Sequence, residues 1–252
     1  MDPLITSALT AFATTVATNS SKAPMESLDN LWYATIGHKI EYLATLKRAK
    51  NEVDTAQYKN SIAEKIHNIS EGNLQEPPMS IVGPALEASK YYIEEEVLRE
   101  MFANVIAASM DKTKSEGVHH SFVEIIKQLS PRDARNISEF KNIDHFPIVN
   151  YAARRSTGES YELLRPLVFS PLNSFEIDER DFPSISNLIR LGLLNSTFER
   201  YLIESPYYAF YSNSTLFHSL NDSINKNDNN LEVNNGVISI TPLGREFVKI
   251  CL

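Results

Sequence analysis

Residues 77–131 constrain this chain more tightly than any other stretch. Within them Ile93, Val97, Leu98, Met101, Phe102, Val105 and Ile106 recur at steps of three and four, the spacing that lines one face of a 3.6-residue helix. So long an apolar stripe must be covered. The stretch therefore predicts three consecutive helices. The first is capped by Ser80 and runs through Pro84 to Tyr92, the second carries the stripe, and the third spans Ser121 to Leu129 after a charged, mobile loop at 111–117. Leu98, Phe102 and Val105 are the candidate contact residues of this face. Asn104 lies beside them and needs a partner if it is buried.

Upstream, Leu4, Ile5, Ala8, Leu9, Phe12, Ala13 and Val16 form a second apolar stripe opposite Ser7 and a row of threonines. Asp2 is the only charge before this run, whereas a secretory leader carries a basic start, and the run is too short to span a bilayer. Neither export nor a transmembrane helix is expected. An amphipathic helix docked on protein fits better than one lying on a membrane, which would carry Lys or Arg on its polar face. Pro24 opens a helix whose Leu28, Leu31, Trp32, Ile36, Ile40, Leu43 and Leu46 share a face to about Lys50. Another helix carries Tyr58, Ile62, Ile66 and Ile69, and the two are expected to pair as an antiparallel hairpin.

Beyond the centre, Ser130-Pro131 with Asp133 is a helix start, predicting a helix over 131–140. Prolines 147, 166, 171 and 183 then break the sequence into short mixed runs, read as loops and short strands. "DFPSISNLIRLGLL" reads as a helix ending at Gly192, and "YYAFYSNSTLFHSL" and "GVISIT" as strands flanking a disordered or hairpin insert at 221–235. Thr241-Pro242-Leu243-Gly244 opens a last helix. This order of helix, two strands and helix resembles a winged helix-turn-helix.

The segments "EPPMSIVGPALEASKYYIEEEVLREMFANVIAASMD" and "HHSFVEIIKQLSPRDA" resemble the core of the abortive infection alpha family, a bacterial group linked to phage resistance. The resemblance implies an intracellular antiphage factor, hence a cytoplasmic one, that harms or arrests an infected cell. It brings no catalytic motif with it.

Chemistry is sparse in the residues themselves. There is no Gly-x-Gly-x-x-Gly, Walker loop, Gly-x-Ser-x-Gly or His-Glu-x-x-His, so no enzyme reading has a specific signal behind it, and no cofactor is expected. Scattered Asp and Glu leave a nuclease open. His120 and Glu124, four apart and next to His119, have a metal-ligand spacing, but nothing fixes the third ligand that zinc needs. In Glu94-Glu95-Glu96 the acids suit a helix start, and Glu95 with Arg99 makes a supporting i, i+4 pair. The single cysteine, Cys251, rules out an internal disulfide and a cysteine-built metal site.

Net charge is −8, and residues 131–252 hold 12 Lys and Arg against 15 Asp and Glu. DNA affinity rests on phosphate neutralisation, and the only basic residues in position are Arg154, Arg155, Arg165 and, on the recognition-helix candidate, Arg190. Protein contact or homo-oligomer formation is thus favoured over nucleic acid. The fold expected is mainly α, with an N-terminal amphipathic segment (1–23), a helical core (24–140) and a small winged-helix-like α+β domain (141–252). The function expected is antiphage defence through protein–protein contacts, with Leu98, Phe102, Asn104 and Val105 at the interface. The alternatives are a winged-helix transcription regulator using Arg154, Arg155 and Arg190, and a membrane-active effector working through residues 1–20.

Overall fold

The structure is a computed structural model that describes residues 48–155, 161–171, 174, 176–203, 206–224 and 229–252. They form two compact units. One holds the described residues up to Pro131 together with Lys249–Leu252, and the other is Arg132–Val248. The amphipathic segment 1–23, the helix expected from Pro24 and the hairpin it was to form lie outside the described residues. Among the described residues no helix is long and apolar enough to cross a membrane.

The first unit is helical. Helix α1 (Arg48–His67) buries Tyr58, Ile62 and Ile66 in one row, as four-residue steps dictate. It is helical from Arg48, and the end expected near Lys50 for the preceding helix borders residues outside those described. No Gly or Pro stands between 48 and 67 to interrupt α1. Helix α2 is Met79–Ser89, with Pro78 rather than Ser80 at its N-cap. Helix α3 (Glu96–Ser109) buries Leu98, Met101, Phe102, Val105 and Ile106, and also Ala103, Ala107 and Ala108, so it is enclosed on most sides. Val97, the second residue of the expected stripe, is 40% exposed.

Arg99 does not lie along the surface toward Glu95. Its guanidinium turns inward, donating to Ile93 O (2.9 Å) and Gln57 Oε1 (3.1 Å) and standing 3.4 Å from Asp54 Oδ1. One residue on, Glu100 accepts from Ser61 Oγ (2.7 Å) and pairs with Lys65 Nζ (3.0 Å), so a polar seam joins α1 to α3. The loop at 111–117 is pinned rather than loose, because Asp111 Oδ1 accepts from the Thr113 N–H and hydroxyl. Helix α4 (Ser121–Ile126) follows.

The second unit is built on a sheet. Helix α5 (Pro131–Ser138) leads to strands β1 (His145–Arg155) and β2 (Tyr161–Val168). Helix α6 (Asp181–Arg190), strand β3 (Leu194–Thr197), helices α7 (Pro206–Ser212) and α8 (Thr215–Ile224), strand β4 (Asn229–Ile240) and helix α9 (Pro242–Cys251) complete it. The strands are all antiparallel, in the order β2-β1-β4-β3. β1 reads Phe-Pro-Ile-Val-Asn-Tyr-Ala-Ala and is buried along most of its length, the pattern of a strand covered on both faces. Tyr208 and Tyr211 of α7 pack on Val149, Tyr151 and Val168, with Leu216, Phe217 and Leu220 of α8 beside them.

The expectation of a mainly α chain ending in a winged helix is corrected here. The protein is mixed, with a sheet whose strands are 11, 8, 4 and 12 residues long. β1 precedes α6, yet it is the principal partner of β4, over eleven residue pairs against four for β3. A wing is not built that way. Prolines hid the two leading strands. Pro147 sits where β1 has only β4 beside it, since pairing with β2 begins at Val149, and Pro166 lies on the edge strand β2. Both are places where a missing N–H costs the ladder nothing.

Two further expectations are revised. The aromatic run at 207–220, read as a strand on β propensity, is helices α7 and α8, with the Ser214 hydroxyl accepting the Phe217 N–H at the start of α8. The insert at 221–235 is helix to Ile224 and strand from Asn229. By contrast α6 stops at Gly192 as its sequence predicts. Gly192 takes φ +75°, and the Leu193 N–H reaches Leu188 O while the Gly192 N–H reaches Ile189 O, a Schellman closure.

Candidate functional site

Three tyrosine hydroxyls fix α7 against the sheet. Tyr151 donates to Tyr211 O and Tyr211 to Pro147 O, each across 2.8 Å. Tyr208 donates to Gly236 O (2.8 Å) and accepts the Leu202 N–H (2.9 Å). With Tyr208 and Tyr211 so anchored, helical spacing puts Tyr207, Phe210 and Tyr211 on one side of α7 and Tyr208 about 100° away.

On the Tyr207 side the second unit opens into a cleft of about 200 Å³ lined by Pro147, Ser170, Pro171, Ser174, Tyr207, Phe210 and Tyr211. Among the described residues no lining side chain is charged. Ser170 and Pro171 of the lining follow closely on a strained turn. Leu167 has φ +53°, and its N–H is received by the Asn150 side chain at 3.0 Å, just where β1 slips register against β2. Left-handed backbone at a branched residue costs on the order of 1–2 kcal/mol, so the surrounding contacts must hold it.

Burial raises the hydroxyl pKa of Tyr211, Tyr151 and Tyr208 above the ordinary tyrosine value. At neutral pH all three are neutral donors, and none supplies a base to the cleft. The walls offer aromatic and proline faces with hydroxyl groups from Ser170, Ser174 and Tyr207. At this size the cleft falls below the roughly 300–1,000 Å³ typical of small-molecule and cofactor sites and matches a single large apolar side chain.

The residues singled out from sequence lie elsewhere. Leu98, Phe102 and Val105 are buried inside the first unit, where the chain itself covers them. Asn104 is the polar exception, and its Nδ2 donates to Cys251 O at 2.8 Å. Glu124 is held by Lys127 Nζ (2.9 and 3.0 Å), and His119 Nδ1, rather than His120, bonds the Ser121 hydroxyl and N–H at the start of α4. Among the described residues no three His, Cys, Asp or Glu side chains converge as metal ligands.

Arg154, Arg155 and Arg190 sit on different elements, β1 and α6. Arg154 pairs with Glu232 at 2.7 Å, Arg190 Nη2 donates to Asn187 Oδ1 at 2.7 Å, and Arg165 pairs with Glu179 at 2.7 Å. At Arg154, Arg165 and Arg190 a phosphate would have to displace the chain's own acceptors. The cleft residues were missed because they come from three separated stretches. The one local signal was the 207, 210, 211 spacing of aromatics, which is helical.

A second polar concentration joins α5 to α6. Arg132 Nη1 reaches Asp181 Oδ1 (2.7 Å) and Asp178 Oδ2 (2.9 Å), Asn136 Nδ2 donates to Asp181 Oδ1 and Ser184 Oγ (both 3.0 Å), and Asn187 Nδ2 donates to Asp133 Oδ2 (3.1 Å). Asp133, Asn136, Asp181 and Ser184 are buried, and each is satisfied by a neighbour in the set. It serves as a structural joint.

These features define a two-unit α+β protein whose sheet-bearing unit carries a small, neutral, aromatic cleft. The model of the abortive infection alpha family matches residues 50–251, most of the chain, and the chain belongs to that family. Its role therefore lies in abortive infection, a defence response. No curated protein and no solved structure matches the chain.

Proposed function

We propose that the protein serves abortive infection as a binding protein, and that the cleft of the second unit receives one apolar side chain from a protein partner. The observation that carries this is the lining itself, with two prolines, Phe210 and two tyrosines and, among the described residues, no charged group around about 200 Å³. Such a hole suits an aromatic or branched aliphatic anchor, the kind of contact that dominates protein interfaces. Tyr207, 40% exposed at the cleft, is the side chain a partner would meet. The buried stripe of α3 supports the unit that bears it only as core.

A photoreactive phenylalanine analogue tests this in cells carrying the full chain and challenged with phage. Placed at Tyr207 it is expected to give a protein adduct. Placed at Tyr91, a 75% exposed tyrosine of the first unit, it is expected to give none. Equal yields at both positions, or no adduct at Tyr207, would count against the proposal.

A further inference from the structure

We infer that Asn150 and Leu167 are positioning residues for the cleft, because the turn they make decides which side chain at the end of β2 reaches it. The inference rests on the cleft reading above and concerns how that site is held in shape. From Tyr151↔Arg165 to Val149↔Val168, β1 advances two residues while β2 advances three, so β2 carries one extra residue, a bulge. Leu167 lies in it with φ +53°, and the Asn150 side chain accepts its N–H at 3.0 Å. A bulge with a left-handed residue ordinarily places glycine there. Here a leucine is kept in that conformation by a side chain of the neighbouring strand.

The extra residue sets the face to which everything after it points. Val149 and Val168 face α7, packed with Tyr208 and Tyr211. Alternation puts Pro147 and Ser170, two residues on from that pair, on the same face, and both line the cleft. Phe169 points the other way, its ring 5.6 Å from that of Phe146 and 6.3 Å from that of Phe140. Without the bulge the order would reverse, with the Phe169 ring directed at the cleft and Ser170 at the aromatic core. Neither Asn150 nor Leu167 is among the lining residues, so they act on the cleft through Ser170 and Pro171.

The test uses the full chain carrying a single fluorinated tyrosine at Tyr207, whose fluorine resonance senses the Ser170 and Pro171 side of the cleft. Asn150→Ala removes the acceptor and is expected to shift that resonance. Asn150→Asp keeps an acceptor oxygen and should leave it in place, as should Leu167→Gly, which takes the left-handed turn without strain. Asn150→Ala combined with Leu167→Gly should bring the resonance back toward wild type. Leu167→Val disfavours the left-handed turn without touching Asn150 and should shift the resonance as Asn150→Ala does, which keeps the test open if Asn150→Ala does not fold. Circular dichroism checks each variant.

A resonance unmoved in folded Asn150→Ala or Leu167→Val overturns the inference, as does a shift in Asn150→Ala that Leu167→Gly fails to reverse, since the hydrogen bond would then serve stability alone. If the resonance stays put while the photoreactive group at position 207 still gives its adduct in phage-challenged cells, the positioning role is wrong and the cleft reading survives. If the shift appears and is reversed as expected but no adduct forms, the positioning role stands and the cleft reading falls.

Discussion

The side-chain amide of Asn104, in the middle of α3, donates to the carbonyl oxygen of Cys251 across 2.8 Å, joining positions 147 residues apart. The last residues of the chain are therefore part of the first unit, where Ile250 and Cys251 are buried. Burial also pushes the Cys251 thiol well above its usual pKa, which leaves it neutral and unreactive.

Asn104→Ala should lower stability by about 1–2 kcal/mol, the cost of leaving a carbonyl without its donor. Removal of residues 250–252 should cost about 4 kcal/mol or more, as large buried side chains are lost. Combining the two should add little beyond the truncation, since the bond is already gone. Urea unfolding of the three variants measures this, and strict additivity would show that the bond does not couple the two sites.

Gly244 is the second position where a small change should be costly. A Cβ there would lie 2.1 Å from Leu193 O, while the Thr241 hydroxyl donates to Gly192 O (2.6 Å) and accepts the Gly244 N–H (2.9 Å). Gly244→Ala should destabilise by about 3 kcal/mol. At Gly72 an added Cβ meets nothing within 4 Å, and Gly72→Ala should be neutral or stabilise by about 0.5 kcal/mol. Thermal melts rank the pair.

The joint between α5 and α6 makes a graded prediction. Asp181 is buried and accepts from both Arg132 and Asn136, so Asp181→Asn should cost about 2 kcal/mol. Asp178 is more exposed and is also bonded by Arg180, so Asp178→Asn should cost clearly less. Its hydrogen bonds with Arg180, aided by Arg132, hold the Asp178 carboxyl well below the ordinary carboxylate range. That contribution is present above the unfolded aspartate pKa and lost as pH falls through the depressed folded one. Acid melts of Asp178→Asn should accordingly lose the part of the wild-type pH dependence that lies below about pH 4.

At the alkaline end the sign reverses. Burial raises the hydroxyl pKa of Tyr58, Tyr151, Tyr208 and Tyr211, so the native state keeps protons that the unfolded chain releases at about pH 10. Their contribution is complete below that pH and falls away as pH rises toward the folded values. Absorbance at the tyrosinate band should show these groups ionising only with unfolding, in step with circular dichroism. Ionisation of all 11 tyrosines ahead of unfolding would contradict the hydroxyl network.

The central helices were legible because periodicity reports burial directly. It identifies Leu98, Phe102 and Val105 as covered without saying what covers them, and the answer is the chain's own first unit. Cap chemistry was equally readable at Pro131, Gly192 and Thr241, where a local hydrogen-bond need picks the residue. What failed depends on distant partners. Pro147 and Pro166 are tolerated in strands only because of where β2 begins and where the sheet ends. Tyr207 to Tyr211 form a helix because two of those hydroxyls find Gly236 O and Pro147 O. Arg99 turns inward for Gln57 and Asp54, which no i, i+4 rule foresees. The cleft draws on Pro147, on Ser170, Pro171 and Ser174, and on Tyr207, Phe210 and Tyr211, and exists only once the sheet and α7 have met.

Phage plating on cells expressing matched amounts of folded variant measures most directly whether the proposed cleft is the working surface. Tyr207→Ala, with an unchanged melting temperature, should lose at least about tenfold of the wild-type protection, while Tyr91→Ala should retain it. Full protection by Tyr207→Ala would contradict the account.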